Sequence, residues 1–190
     1  MPRKQRFEGG TKNRIIAVGG RLFFERGFDG TGIRQIMKAV GADVGGFYYY
    51  FKSKDELFDA VLENFFVPIK EGFARIADSV GDDPAATLLE FFRYVRQITV
   101  DFREKYEENM HRTVRWAIRE QTLTVMEPYI EQILQALKEK GAKPMMEDLH
   151  LCAVFLSHGV GSVILHEDIE FVDNAENELR RTARMVLGLK

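Results

Sequence analysis

An all-α fold is predicted by two features of the pattern and one absence. Apolar residues return at three- and four-residue spacing along almost every segment, turn pairs and capping residues separate the repeats, and no long alternating run occurs. With 190 residues and 45% apolar content, the chain can bury one substantial core, or join a small domain to a larger one. Wholesale disorder is excluded by the same numbers. Cys152 is the single cysteine, so it can form no intramolecular disulfide and reads as core. The start Met1-Pro-Arg-Lys4 lacks an apolar run behind its charges, which makes the cytoplasm the expected location. Leu151 to Leu165 is interrupted by Ser157, His158 and Gly159 and is shorter than the roughly 20 residues a bilayer span needs. A buried helix is expected there, and no membrane partner.

The elements follow in order. Thr11 can cap a first helix to about Arg26, with Ile15, Val18, Leu22 and Phe23 inward, Gly27 closing it and Phe28 tucked under. After the turn pair Asp29-Gly30, Thr31 is an N-cap candidate for a short helix bearing Ile33, Ile36, Met37 and Val40 and ending at Gly41. Asp43 can cap the next, Val44 to Tyr50, and Ser53-Lys54-Asp55-Glu56 reads as a capping box. Phe58 to Ile76 keep helical period, with Pro68 expected to kink or break the helix. Asp83 and Pro84 open another helix to about Lys105. Two further helices are predicted over 106–119 and 122–140, then an apolar one over 146–165, and a last one from Asn174 with Leu179, Ala183, Val186 and Leu187 inward.

Charge is segregated along this scaffold. Residues 1–54 hold 11 Lys and Arg against 4 Asp and Glu, a balance of +7, whereas residues 55–190 hold 16 against 25, a balance of −9. A basic head on an acidic body suits a head that meets a polyanion. A solvated tail accounts for Arg3, Lys4 and Arg6 but not for the cations interleaved with apolar residues further on. Catalytic signatures are missing: there is no Gly-x-Ser-x-Gly and no phosphate loop, and His166-Glu-Asp-Ile-Glu170 lacks the second histidine of a zinc protease motif. No enzyme activity, cofactor or metal is expected. His150, His158 and His166 step by eight residues, about 80° each, and do not converge on an ion.

The informative segment is 31–57: a short helix, a tight turn at Gly41-Ala42-Asp43, then a second short helix rich in tyrosine. This is helix-turn-helix spacing. The second helix must be thin enough to enter the major groove, which Gly45 and Gly46 allow, and its free amides favour nearby phosphate. Tyrosine hydroxyls can bond phosphate oxygens while their rings cover sugars and thymine methyls. Three adjacent tyrosines cannot all point inward, so at least two should be exposed, with Phe47 and Phe51 in the core.

The stretch Thr31-Gly-Ile-Arg-Gln-Ile-Met-Lys-Ala-Val-Gly41, Ala-Asp-Val-Gly45-Gly-Phe-Tyr48-Tyr-Tyr-Phe51 and Lys52-Ser-Lys54-Asp-Glu-Leu57 resembles the tetracycline-repressor family of transcriptional regulators over about residues 11–66. The resemblance implies a three-helix DNA-binding head (1–52) and a helical-bundle body for ligand binding and dimerisation (53–190). It implies a homodimer that binds a palindromic double-stranded DNA operator, as a repressor, and is released by a small-molecule effector. Arg34, Val44, Gly45, Gly46 and Tyr48 would face base edges, and Tyr49, Tyr50 and Lys54 would grip the backbone. Two positions depart from the family pattern: Asp43 stands where a hydroxyl cap is frequent, and Gly46 where a threonine often touches bases. Fewer direct base contacts are therefore expected. In the body, Phe66, Gln97, His111, Arg115, Trp116 and Tyr129 are candidate effector contacts, with Arg112 a further polar handle. Ser157, Gly161, Leu165, Leu179 and Val186 are candidates for the dimer interface, because small residues on an apolar helix ask for a close helix crossing. The alternative is an architectural DNA-binding protein with no effector.

Overall fold

The computed structural model describes residues 10–80, 84–106, 110–166 and 169–188, and among them helices are the only regular elements. They are α1 (Gly10–Arg26), α2 (Ile33–Val40), α3 (Val44–Tyr50), α4 (Lys54–Asp78), α5 (Pro84–Tyr106), α6 (Arg112–Glu139), α7 (Leu149–Leu156), a π-helical turn (Ser157–Gly161), α8 (Ser162–Ile164) and α9 (Ile169–Val186). The fold is all-α. None of the described helices is long and apolar enough to cross a membrane. By packing, the chain divides into a first unit, Met1–Val67 with Tyr106–Ile118, and a second, Pro68–Lys105 with Arg119–Lys190.

The first unit closes around Ile15, Leu22, Phe23, Ile36, Met37, Val40, Phe47, Phe51, Leu57 and Val61. These are the apolar stripes that the spacing selects in α1 to α4. Gly19 and Gly20 permit the α1–α4 crossing: a Cβ would stand 2.9 Å from Leu57 Cδ2 at the first and 3.1 Å from Val61 Cγ1 at the second. Phe28 is half-buried and stacks on Phe23, with ring centroids 5.7 Å apart.

Local chemistry alters three of the expected ends. α1 already includes Thr11, which is exposed inside the helix and caps nothing. Thr31 is fully buried rather than a cap, its hydroxyl lying 3.0 Å from the Leu22 carbonyl and 2.9 Å from that of Gly27. The buried hydroxyl ties the connection after α1 back to a carbonyl near the end of that helix, and Gly32 takes the N-cap position of α2. At α4, Ser53 Oγ accepts from the Glu56 amide at 3.1 Å, but the Glu56 carboxylate accepts from the Lys52 amide at 2.6 Å rather than reaching back to Ser53.

The second unit departs further from the predicted breaks. α4 runs through Pro68 to Asp78 and α6 through Pro128, the latter replacing two predicted helices with one. A proline removes one ladder bond, a loss that packing along the rest of a 25- or 28-residue helix can offset. Thr122 is buried within α6 and does not start a new helix. Asp148 caps α7 by accepting from the Leu151 amide at 3.0 Å, so this helix starts three residues later than predicted. α9 starts at Ile169, five residues before Asn174. Val186 and Leu187 are buried and Leu179 half-buried. The Asp83 cap, the tail cations Arg3, Lys4 and Arg6, and the side chain of Ala183 lie outside the described residues. Cys152 is fully buried, and burial pushes its thiol pKa up, the behaviour of a core residue.

Candidate nucleic-acid interface

α2 and α3 form a helix-turn-helix whose turn is fixed by two local devices. Gly41 adopts φ +74°, a left-handed conformation that lets its amide return to the carbonyls of Lys38 and Met37. Asp43 then caps α3, accepting from the Gly46 amide at 2.8 Å. Phe47 and Phe51 anchor α3 in the core, 0% and 2% exposed. With that face fixed, the helix must present its other side: Tyr48 is 58% and Tyr49 81% exposed, while Tyr50 is half-buried with its ring edge-on to Tyr49 at 4.8 Å. Arg34 and Gly45 are exposed, and Val44 and Gly46 are partly so.

Lys54 is placed differently from the other candidates. Its ammonium donates to the Phe28 carbonyl at 2.9 Å and lies 4.0 Å from the centroid of the Phe28 ring. It therefore ties the start of α4 to the α1–α2 connection, keeping two further N–H donors. Lys12, which no spacing argument singles out, stands 5.6 Å from the Phe51 ring and brings an exposed α1 cation beside the end of α3. Only the +7 balance of the head hints at it.

Gly46 has room for a side chain, since a Cβ there would meet Met37 Cε at 3.7 Å and Asp43 Oδ1 at 3.8 Å, both ordinary contacts. Gly46→Ala should accordingly stabilise the head, by about 0.5 kcal/mol or somewhat more, through the helix propensity alone. Chemical denaturation checks this. A loss of stability would mean that α3 is more crowded than these distances allow.

Residues 15–61 match the family model described as "Bacterial regulatory proteins, tetR family". The head belongs to the tetR family. Among curated relatives, the chain is 27% identical over 142 residues to the "Probable HTH-type transcriptional regulator YttP" of Bacillus subtilis (strain 168), covering 70% of this chain and 65% of that protein. It is 31% identical over 72 residues to the "HTH-type transcriptional repressor NemR" of Escherichia coli (strain K12), covering 38% of this chain and 36% of that one. The chain thus spans between about a third and two thirds of these relatives. In fold, it resembles the crystal structure of RolR in complex with resorcinol, with a TM-score of 0.63 at 22% identity over 95% of this chain and 88% of the other.

The candidate effector residues fall into both units. Phe66, His111, Arg115 and Trp116 belong to the first, Gln97 and Tyr129 to the second. Phe66 is buried core, edge-on to Phe65 at 5.3 Å. The His111 amide donates to the Phe24 carbonyl at 2.7 Å, and its ring pairs with the Thr113 hydroxyl. Arg115 is half-buried, and its Nε is enclosed without a hydrogen-bond partner among the described residues. Trp116 is 56% exposed with the Arg112 guanidinium 4.6 Å from its ring, a surface stack rather than a pocket wall. Gln97 is exposed and donates to Asp101 at 2.8 Å. Tyr129 packs on Phe73, which also contacts Phe91 and Tyr94.

The dimer candidates require a correction of face. Ser157, Gly161 and Val186 are buried within the chain itself. A Cβ at Gly161 would stand 2.5 Å from Met126 Cε and 3.3 Å from Leu123 Cδ2, so the close crossing that the small residues ask for is made with α6. His158 with Glu127 at 3.1 Å, and Arg119 with Ser162 Oγ at 2.6 Å, tie the π-helical turn and α8 to α6. Leu165 is half-buried, with its carbonyl facing the Arg103 guanidinium. The outward stripe is instead Leu151, 55% exposed, Phe155, 46% exposed, and Gly159, whose absent Cβ would meet nothing within 4 Å.

Proposed function

We propose that the chain is a transcriptional repressor that binds a palindromic double-stranded DNA operator as a homodimer and is released by a small-molecule effector. The observation that carries this reading is the outward pair Tyr48 and Tyr49 on α3, held by a capped, core-anchored helix-turn-helix in the basic end of the chain. Such a helix can offer tyrosine hydroxyls to phosphates, the Val44 methyls to a thymine methyl, and close backbone approach at Gly45 and Gly46. Arg34 would read a guanine edge, and Tyr50, Lys54 and Lys12 would hold the backbone. The homodimer would close through the Leu151–Phe155–Gly159 stripe, because a twofold axis turns one apolar patch into a self-complementary interface. RolR, the structural neighbour with bound resorcinol, supports an effector role for the body.

Selection of bound DNA from a random pool tests the reading. The recovered sites should have dyad symmetry, with half-site centres about 34–36 Å apart or a multiple of that. Footprints without a dyad would refute the paired-head arrangement. Arg34→Ala should relax sequence preference, whereas Lys54→Ala should weaken binding to every sequence and lower the slope of log affinity against log salt by about one. Since Lys54 also holds the Phe28 carbonyl, that variant should lose about 1 kcal/mol of stability as well. An unchanged salt slope would leave Lys54 a purely structural tie. By linkage, an effector that weakens operator binding must itself bind more weakly when operator is present, by the same factor. If no ligand shows that reciprocity, the architectural reading replaces this one.

A further inference from the structure

The outward face of α3 is built from side chains that cannot make paired hydrogen bonds to a base. The helix reads Val44-Gly-Gly-Phe-Tyr-Tyr-Tyr50. It carries no arginine, lysine, asparagine or glutamine, the residues that bond guanine or adenine edges in pairs. Ahead of it, Asp43 commits Oδ1 to the Gly46 amide at 2.8 Å. Phe47 is buried, and Gly45 and Gly46 present backbone alone. What faces outward is hydrocarbon: the partly exposed Val44 methyls and the rings of Tyr48 and Tyr49, 58% and 81% exposed. Each ring is braced edge-on, Tyr48 by Phe47 at 5.3 Å and Tyr49 by Tyr50 at 4.8 Å.

We propose that α3 selects its half-site through thymine C5 methyl groups, so that the base pairs beneath this helix carry thymine and are read by apolar contact. The inference rests on the DNA-binding reading above and narrows it to a base. In the major groove the thymine methyl is the apolar mark that distinguishes one base edge from the other three. A hydrocarbon face gains by covering that methyl. Over a guanine or cytosine edge the same face would strip water from donors and acceptors and replace none of those bonds. Val44 and Tyr48 lie four residues apart, on one side of the helix. Gly45 and Gly46 place no side chain in the way of their approach. The tyrosine hydroxyls sit at the ring tips, where they can bond phosphate oxygens while the rings cover methyls.

The test uses the full chain and duplexes carrying a site recovered from the random pool, synthesised with thymine or uracil at one position at a time. Uracil keeps the pairing and hydrogen-bonding atoms of thymine and lacks only the methyl. At one or two positions in each half-site, uracil should weaken binding about fourfold, the equivalent of one buried CH₂ group, and about fifteenfold when the dyad-related position is changed too. At the same positions 5-methylcytosine should bind better than cytosine. Val44→Ala should bring the thymine-to-uracil ratio close to one at the position Val44 covers. Tyr48→Ala should do so at its own position, and it stands in should Val44→Ala fold poorly. That ratio is insensitive to a general loss of stability or affinity, which a merely structural role would cause. A preferred site on which uracil equals thymine at every position overturns the methyl readout and leaves the repressor reading standing. A thymine preference that survives both substitutions overturns it as well. A pool that yields no preferred site removes both readings.

Discussion

Replacing both Leu151 and Phe155 with glutamate should convert the proposed homodimer to monomer and lower operator affinity by two orders of magnitude or more. Each side chain is about half exposed on the single chain. Full burial of a large apolar side chain stabilises by about 1.5–3 kcal/mol, so covering the exposed half contributes about 1 kcal/mol. A twofold axis brings four such side chains together, about 4 kcal/mol or roughly a thousandfold in the dimer constant, before the cost of desolvating four carboxylates is added. Operator affinity follows, because one head of about fifty residues buries too little surface for tight specific binding. Sedimentation at sub-micromolar concentration reads the first effect, and titration with a dyad operator the second. Since both positions are outward, helical circular dichroism and the thermal transition of the monomer should remain. A double variant that still sediments as a dimer would place the interface elsewhere.

The head was legible because its determinants are local. A left-handed Gly41, an Asp43 cap three residues before the Gly46 amide, and two phenylalanines four apart fix which side of α3 is inward, and all three are visible as spacing. What escaped depends on partners distant in sequence. The Thr31 hydroxyl serves a carbonyl nine residues earlier, and the Lys54 ammonium serves one twenty-six residues earlier. No cap pattern reveals either. The boundary expected before Thr122 fails for the same reason: local propensity offers Thr122 as a helix start, and packing along α6, where Thr122 is buried, overrides it. The candidate effector residues were chosen by chemical type, and type does not tell a surface stack such as Arg112 on Trp116 from a cavity wall.

The small residues of the apolar helix ask for a close crossing without saying which helix makes it, and the answer yields a prediction with opposite signs at two neighbouring glycines. Between Ser157 and Gly161 the backbone takes a π turn, which packs more residues into each turn than the 3.6 of an α-helix. The small-residue face read from Ser157 and Gly161 turns to α6, and the outward series is Leu151, Phe155 and Gly159. Gly161→Leu should destabilise the chain by about 2 kcal/mol, because the new side chain must displace Met126 and crowd Leu123, an overpacking cost of about 1–3 kcal/mol that the gain in helix propensity only partly offsets. Gly159→Leu meets nothing within 4 Å and should be neutral or stabilising by about 0.5 kcal/mol in folding, while changing the dimer constant because it lies on the outward stripe. Denaturation at fixed protein concentration, paired with sedimentation, separates the two effects. If Gly161→Leu folds as stably as the parent chain but fails to dimerise, the two faces have been exchanged and the close crossing belongs to the partner subunit after all.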